Sequence, residues 1–378
     1  MNAKSIKGKT KNEIQIALRD SISEKFKPTL AVVFMSIKID HNEIVSILDA
    51  HSIQVFGATT NGEFIDEELG SESIAILLLD LDSAYFNIHF ETYEDLDFRG
   101  AGQRVAHAAL NVFSQPGFLI SGSHMETDAE AVVRGIEEIN GNETILFGGM
   151  AGDDFMFKNQ RVFTNGKESM QGLIALVLDN EKVEIKGRAL CGWKAMGTEK
   201  TVTKSIGNHL YTVDNIPILD LIAKYGGIDT SPQNEKLLLE MATLCPLQLI
   251  RESSTPIMRP CLVADWDDRS AFTSGTVPQG SKVKFCLPPD FDVIEEVISG
   301  CRDLKEQEMP EADAIIYFTC AGRLLTFGPL MEQEIAGIKS IWDVPLVGMF
   351  SSSELGRAKG GNLELHNLTT CCIALKEK

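Results

Sequence analysis

Phe56-Gly57-Ala58-Thr59-Thr60-Asn61-Gly62-Glu63-Phe64 aligns without gaps with Phe147-Gly148-Gly149-Met150-Ala151-Gly152-Asp153-Asp154-Phe155 and with Val347-Gly348-Met349-Phe350-Ser351-Ser352-Ser353-Glu354-Leu355. The shared pattern is apolar, Gly, two residues, a small residue, any residue, a small or acidic residue, an acid, then an apolar residue. A motif that returns with the same neighbours marks a repeated structural unit.

The neighbours do return. An apolar strand (Leu30 to Ile37) and a helix opened by Asp40 and Glu43 as a capping box precede the first copy. A strand (Phe118 to Ser121) and a helix opened by Thr127 and Glu130 precede the second. A strand (Ala314 to Thr319) and a helix after Pro329 precede the third. Each copy then leads into a further apolar strand: Ile74 to Leu79, Gly172 to Leu178 and Thr370 to Leu375. The expected fold class is therefore α/β, built from repeated βαβ units. Tyr85 to Phe90 and Val183 to Arg188 are expected as antiparallel strands added at sheet edges, and two halves as the walls of a shared ligand cleft.

An amino-terminal helix, about 12–25, is expected to stand alone in residues 1–27. Residues 28–190 then hold two βαβ modules, and 191–378 hold one, with the boundary near Gly192. Within 191–310 the pattern predicts short strands at 201–206, 209–213, 248–251 and 261–264, and helices at 217–225, 235–243 and 291–304.

A chain of 378 residues, 44% hydrophobic and 24% charged, has the composition of a folded globular protein. Its net charge of −19 repels a phosphate backbone, and no dense Lys/Arg stripe offsets it, so nucleic acid is not an expected partner. The longest apolar runs are strand-sized, so neither a signal peptide nor a membrane span is predicted, and a cytoplasmic location is expected. None of the eight cysteines forms a CxxC pair, which points to reduced, mostly buried thiols; adjacent Cys371 and Cys372 would face opposite sides of a strand.

The motif segments resemble the FIST family, a bacterial sensory module with amino-terminal and carboxyl-terminal parts. The resemblance is carried by Gly57 to Glu63, Gly148 to Asp153, Cys320-Ala321-Gly322-Arg323, Gly348 to Glu354, and Val202-Thr203-Lys204-Ser205 before Gly207-Asn208, and it covers nearly the whole chain. Ser353 stands where a glycine is common in the family. The resemblance implies an intracellular ligand-binding protein of signal transduction, not an enzyme, with amino acids as one proposed ligand class. Stand-alone members of the NosP type are similar in size and in lacking an output domain. They imply haem b, nitric oxide sensing, and a partner histidine kinase or cyclic-di-GMP enzyme. A homodimer is a compatible assembly.

In βαβ units ligands gather beyond the carboxyl ends of parallel strands, where the three loops are expected to lie. Thr59, Thr60, Asn61, Ser351 and Ser352 offer short polar groups, Glu63, Asp153, Asp154 and Glu354 offer carboxylates, and Gly149 lets backbone approach. Two roles stand open for the acids: ligand contact, or closing their own loops by accepting backbone amides. Arg323 is suited either to a ligand carboxylate or to an ion pair with Glu354. For haem, which would be non-covalent without CxxCH, His124 after the strand ending at Ser121 is the candidate axial ligand.

The sequence has no GxSxG, GxGxxG or HExxH, and Gly8-Lys9-Thr10 lacks the glycine that completes a phosphate loop. A hydrolase using the acid cluster is the rival from another class. Mg²⁺ or Ca²⁺ held by the three loop acids is a further option, although their spacing matches no calcium loop.

Overall fold

The computed structural model describes residues 1–123, 127–251, 255–286 and 292–378. Three modules of like topology share one plan: an opening strand, a helix, a first parallel strand, a second helix, a second parallel strand, a hairpin and a closing strand.

In the first module these strands are Asn2–Gly8, Leu30–Met35, Gln54–Thr59 and Ile74–Asp80, with helices Lys11–Ser21 and His41–Asp49. The second has Phe86–Thr92, Pro116–Gly122, Ile145–Gly149 and Gly172–Asp179, with helices Phe98–Leu110 and Ala129–Asn140. The third has Val183–Leu190, Ala314–Cys320, Leu346–Ser351 and Thr370–Glu377, with helices Asp292–Gln307, Ala321–Phe327 and Met331–Trp342. In every module the two middle strands run parallel, and the closing strand lies antiparallel between the opening strand and the first parallel one.

The hairpins do not stay at home. Glu63–Ile65/Glu68–Gly70 of the first module pairs with Leu346–Ser351 of the third. Val162–Thr164/Lys167–Ser169 of the second pairs with Gln54–Thr59 of the first, and Glu354–Arg357/Leu363–His366 of the third pairs with Ile145–Gly149 of the second. Each module thus completes its neighbour's sheet in a closed cycle, which protects sheet edges that would otherwise stay open.

The exchange explains the motif's spacing. Register sets Gly57 opposite Phe163, Gly148 opposite Leu355 and Gly348 opposite Phe64. A Cβ on Gly57 would overlap the Phe163 ring, and one on Gly348 would overlap the Phe64 ring. Gly57 and Gly348 therefore make room for a phenylalanine of the crossing hairpin, whereas a Cβ on Gly148 would meet Ile120 of its own sheet. Phe34, Phe147 and Phe318, one from each module, lie in a single central core, with Phe34 and Phe318 edge to face at 5.5 Å.

Three expectations are corrected, and one helix is added. Tyr85 to Phe90 and Val183 to Arg188 do not extend the modules before them; they open the next ones, pairing with Gly172–Asp179 and Thr370–Glu377. The amino-terminal helix is not isolated: strand Asn2–Gly8 precedes it and joins the first sheet, and the helix stops at Ser21. Helix Ala129–Asn140 is capped by Asp128, not Thr127, and Glu130 turns away from the helix end to Arg259 and Thr276. Helix Ala321–Phe327 was not anticipated, because seven residues are too few to display a helical period.

Between the third module's opening strand and its first helix lies an insertion with its own sheet and core, running from Ala195–Ile206 to Lys282–Cys286. The expected short strands and helices of this region form within three residues of their predicted bounds, except that the first strand begins at Ala195; strands Ser270–Thr273 and Lys282–Cys286 were not expected. Buried Arg259 joins the insertion to Glu130 at 2.6 Å, Arg251 meets Glu364 at 2.7 Å, and Ser274 donates to Asn367. Among the described residues no helix is long and apolar enough to cross a membrane.

Candidate functional site

The three repeated loops converge, and backbone and side chains bind them into a ring. Gly152 N–H donates to Thr59 O and Asp154 N–H to Thr60 O, joining the second loop to the first. Met150 N–H donates to Ser353 O and Ser352 N–H to Met150 O, joining second and third. Asn61 N–H donates to Phe350 O and Phe350 N–H to Gly62 O, closing the circuit.

The side chains expected at the site serve that ring. Thr59 Oγ1 donates to Gly152 O at 2.6 Å, and Asn61 Oδ1 accepts from the amides of Asp153 and Phe155. Asp153, fully buried, accepts the amides of Phe157, Lys158 and Asn159, which holds a turn where Asp154, Phe155 and Phe157 have positive φ. Asp154 accepts from Ser36 Oγ at 2.6 Å, and Ser352 Oγ donates to Ala151 O at 2.8 Å. Gly149 lies against Phe318 and Ser351, with no room for a side chain. Loop closure thus accounts for most of these groups, and Thr59, Thr60, Asn61, Glu63, Asp153, Ser351 and Glu354 are buried.

Glu63 and Glu354 share a local design. Thr60 Oγ1 donates to Glu63 Oε2 at 2.7 Å, three residues apart, as Ser351 Oγ donates to Glu354 Oε1 at 2.7 Å. The other oxygen of Glu63 is met twice, by the amide and the hydroxyl of Ser73. Among the described residues Glu354 Oε2 has no partner in good hydrogen-bond geometry, although the Thr369 amide and the Cys320 thiol lie beside the carboxyl. Burial pushes the Glu354 carboxyl well above the usual carboxylate range, outweighing Ser351, the Thr369 amide and the charge of Arg323.

Arg323 is also wholly buried, and its ion pair is not with Glu354 but with Glu334, equally buried on helix Met331–Trp342. Tyr317 Oη and Thr370 Oγ1 complete the Glu334 carboxylate, while Arg323 Nη1 donates to the carbonyls of Cys191 and Leu368. Arg323 Nε has no partner. Its guanidinium lies 5.4 Å from the Trp193 ring centre and 5.2 Å from that of Phe327, and Trp193 Nε1 is likewise buried without a partner. Cys191 and Cys320 flank this cluster as thiols whose ionisation burial suppresses.

Two orphaned donors, Arg323 Nε and Trp193 Nε1, therefore lie in one cluster of the third module, and the Glu354 carboxyl, with its own orphaned oxygen, lies within reach of the Arg323 charge. Such groups are rare inside proteins, because each costs about 1–3 kcal/mol when left unpaired. Trp193 and Glu334 were missed from sequence. Glu334 had a legible signal: an acid on the buried face of a helix, between Met331 and Ile338. Trp193 had only its place beside Gly192.

His124 lies outside the described residues. Glu63, Asp154 and Glu354 do not form a cation site, each being bound by its own neighbours. Among the described residues the set with metal-ligand spacing is His209, Asp265 and Asp268 in the insertion, within 4.8 Å of one another, where His209 Nε2 is already bonded to Ser270 Oγ.

The family model for the FIST N domain matches residues 29–216, and that for the FIST C domain matches 219–357. No curated protein matches the sequence.

Proposed function

Because the chain belongs to the FIST family, whose domains are small-ligand sensory domains of signal transduction, we propose that it senses a small polar metabolite held by Trp193, Arg323 and Glu354. The observation that carries this is the trio of buried, unpartnered atoms: Trp193 Nε1, Arg323 Nε and Glu354 Oε2. Two N–H groups call for an acceptor such as a carboxylate oxygen, and the protonated or bare Glu354 carboxyl calls for a polar partner beside it. A free amino acid offers both. The flanking Trp193 and Phe327 rings would exclude water from the pair.

Ligand contact at Trp193 has a route outward. This residue sits on the short segment between strand Val183–Leu190 and the insertion, so a shift of its ring moves the insertion against Glu130 and Glu364. A cytoplasmic histidine kinase or cyclic-di-GMP enzyme reading that movement would complete the signal; the ligand supplies only its differential affinity for the two shapes.

Haem binding would rest on His124. Four of the described histidines do not fit a porphyrin. His41 contacts Glu168 at 2.8 Å, His366 bonds to Gly356 O, and His209 is stacked between Tyr211 and Phe272. His89 borders an open groove of about 510 Å³, but the walls there include Asp49, Gln54, Asn165 and Lys167. A hydrolase is disfavoured because the loop acids are taken up by neighbouring hydroxyls and amides, Glu63 by Thr60, Asp153 by Phe157, Asp154 by Ser36 and Glu354 by Ser351.

Thermal melts of the purified chain with individual amino acids and α-hydroxy acids, alongside reconstitution with haem, separate these readings. A ligand at one hundred times its Kd should stabilise the fold by about 2.7 kcal/mol, and Trp193→Phe and Glu354→Gln should abolish the effect. A Soret band that shifts with nitric oxide, together with no response to any metabolite, would put haem in its place.

A further inference from the structure

The cyclic exchange of hairpins creates three equivalent grooves, each lined by one module's hairpin turn and opening strand and by the start of the preceding module's second parallel strand. Their chemistry has diverged. Between the third and first modules the groove is tied shut: Asp66, at the hairpin turn, accepts from Ser5 on the opening strand and from Leu346 N–H, and Lys339 lies 3.6 Å away. Between the first and second, Asn165 occupies the same turn position and takes the Val55 amide, but nothing ties it to the opening strand, and the groove of about 510 Å³ carries one basic and one acidic residue, Lys167 and Asp49.

Between the second and third modules the groove of about 350 Å³ is open and basic. Lys186, Arg188, Arg357 and Lys359 line it, against Glu143 and Glu308, in a chain whose net charge is −19. Arg188 is 3% exposed and is pinned by Glu308 at 2.5 Å and the Gly300 carbonyl at 3.3 Å. Arg357 spends only Nη2, on Asn142 O and Glu137, so its remaining N–H groups are free for a ligand. Lys359 bonds to Gln307 at 2.9 Å and lies 3.9 Å from Asp303, while Lys186 makes no hydrogen bond or ion pair among the described residues. A buried arginine held in place beside a forked guanidinium and an unpaired ammonium is a fixed array of donors for a multiply charged anion.

We infer that the groove between the second and third modules is a binding site for a small polyanion, of the phosphate-ester or polycarboxylate kind. It is separate from the Trp193 cluster and independent of the ligand proposed there. The open hairpin turn at Gly360, where an added Cβ would meet nothing within 4 Å, leaves one rim free for ligand entry.

Calorimetric titration of the full chain with inorganic pyrophosphate and, separately, with citrate tests this. Saturable binding that weakens as salt is added is expected. Lys186→Gln and Arg357→Gln should each weaken it about tenfold, the ratio for one lost charge-assisted contact, with circular dichroism confirming the fold. Lys167→Gln, in the neutral groove, should leave it unchanged. Preference for pyrophosphate assigns a phosphoryl ligand, and preference for citrate a polycarboxylate. No saturable heat from either anion, or equal affinity in the Lys186 and Arg357 variants, overturns the inference.

Discussion

Glu63 and Glu354 occupy the same place in the first and third modules, yet Glu63 has both oxygens satisfied and Glu354 leaves one bare inside the protein. The difference lies one residue before each closing strand. Ser73 gives Glu63 its hydroxyl as well as its amide, while Thr369 spends its hydroxyl on Asn367 O.

The two acids should therefore respond in opposite ways to one substitution. Glu63→Gln sets an amide N–H₂ against either the Thr60 hydroxyl or the amide and hydroxyl of Ser73, and should destabilise the fold by about 1–3 kcal/mol in urea denaturation. Glu354→Gln replaces a carboxyl that burial already favours in its neutral form, and its denaturation midpoint should stay close to the parent's. A larger loss at Glu354 than at Glu63 would contradict this assignment.

Arg323 and Glu334 form a fully buried pair, so removing one member strands the other charge. Arg323→Met should cost about 3–5 kcal/mol, and adding Glu334→Gln should recover part of that. A double variant no more stable than the single would show that the guanidinium acts through packing on Trp193 and Phe327 instead.

Stability should depend on pH with two opposed arms. Burial lowers the His366 pKa to about 3 from its ordinary 6.5, so the unfolded chain binds the extra proton, and this contribution is lost as pH falls from 6.5 towards 3. Burial raises the Glu354 pKa from its ordinary 4.5, so the folded chain holds the extra proton, and stability is lost as pH climbs from 4.5 towards the raised value. In chemical denaturation across pH, His366→Gln should flatten the first arm and Glu354→Gln the second.

Gly348→Ala drives a methyl group into the Phe64 ring across the exchanged hairpin. A loss of about 1–3 kcal/mol is expected, partly restored by Phe64→Leu in the same chain. Absence of rescue would mean that the nearby Tyr317 carbonyl, not the ring, sets the limit.

The repeat, its flanking elements and the α/β class were legible in the residues, because apolar period and motif spacing are local properties of the chain. So were several of the insertion's short elements, but not its strands Ser270–Thr273 and Lys282–Cys286. The polar motif residues were legible as a group that would meet, but not in what they do there: Thr59, Asn61 and Asp153 are consumed in binding the loops together.

What the sequence determined by itself is that three alike units exist and that each carries glycine, hydroxyl and acid in fixed order. Tertiary structure alone decided that each hairpin crosses to a neighbour, that Arg323 pairs with Glu334, and that Trp193 from a connecting segment meets the Arg323 guanidinium. Pairing across modules depends on which surfaces come together when apolar faces are buried, and residues more than a hundred positions apart carry no local pattern that records it.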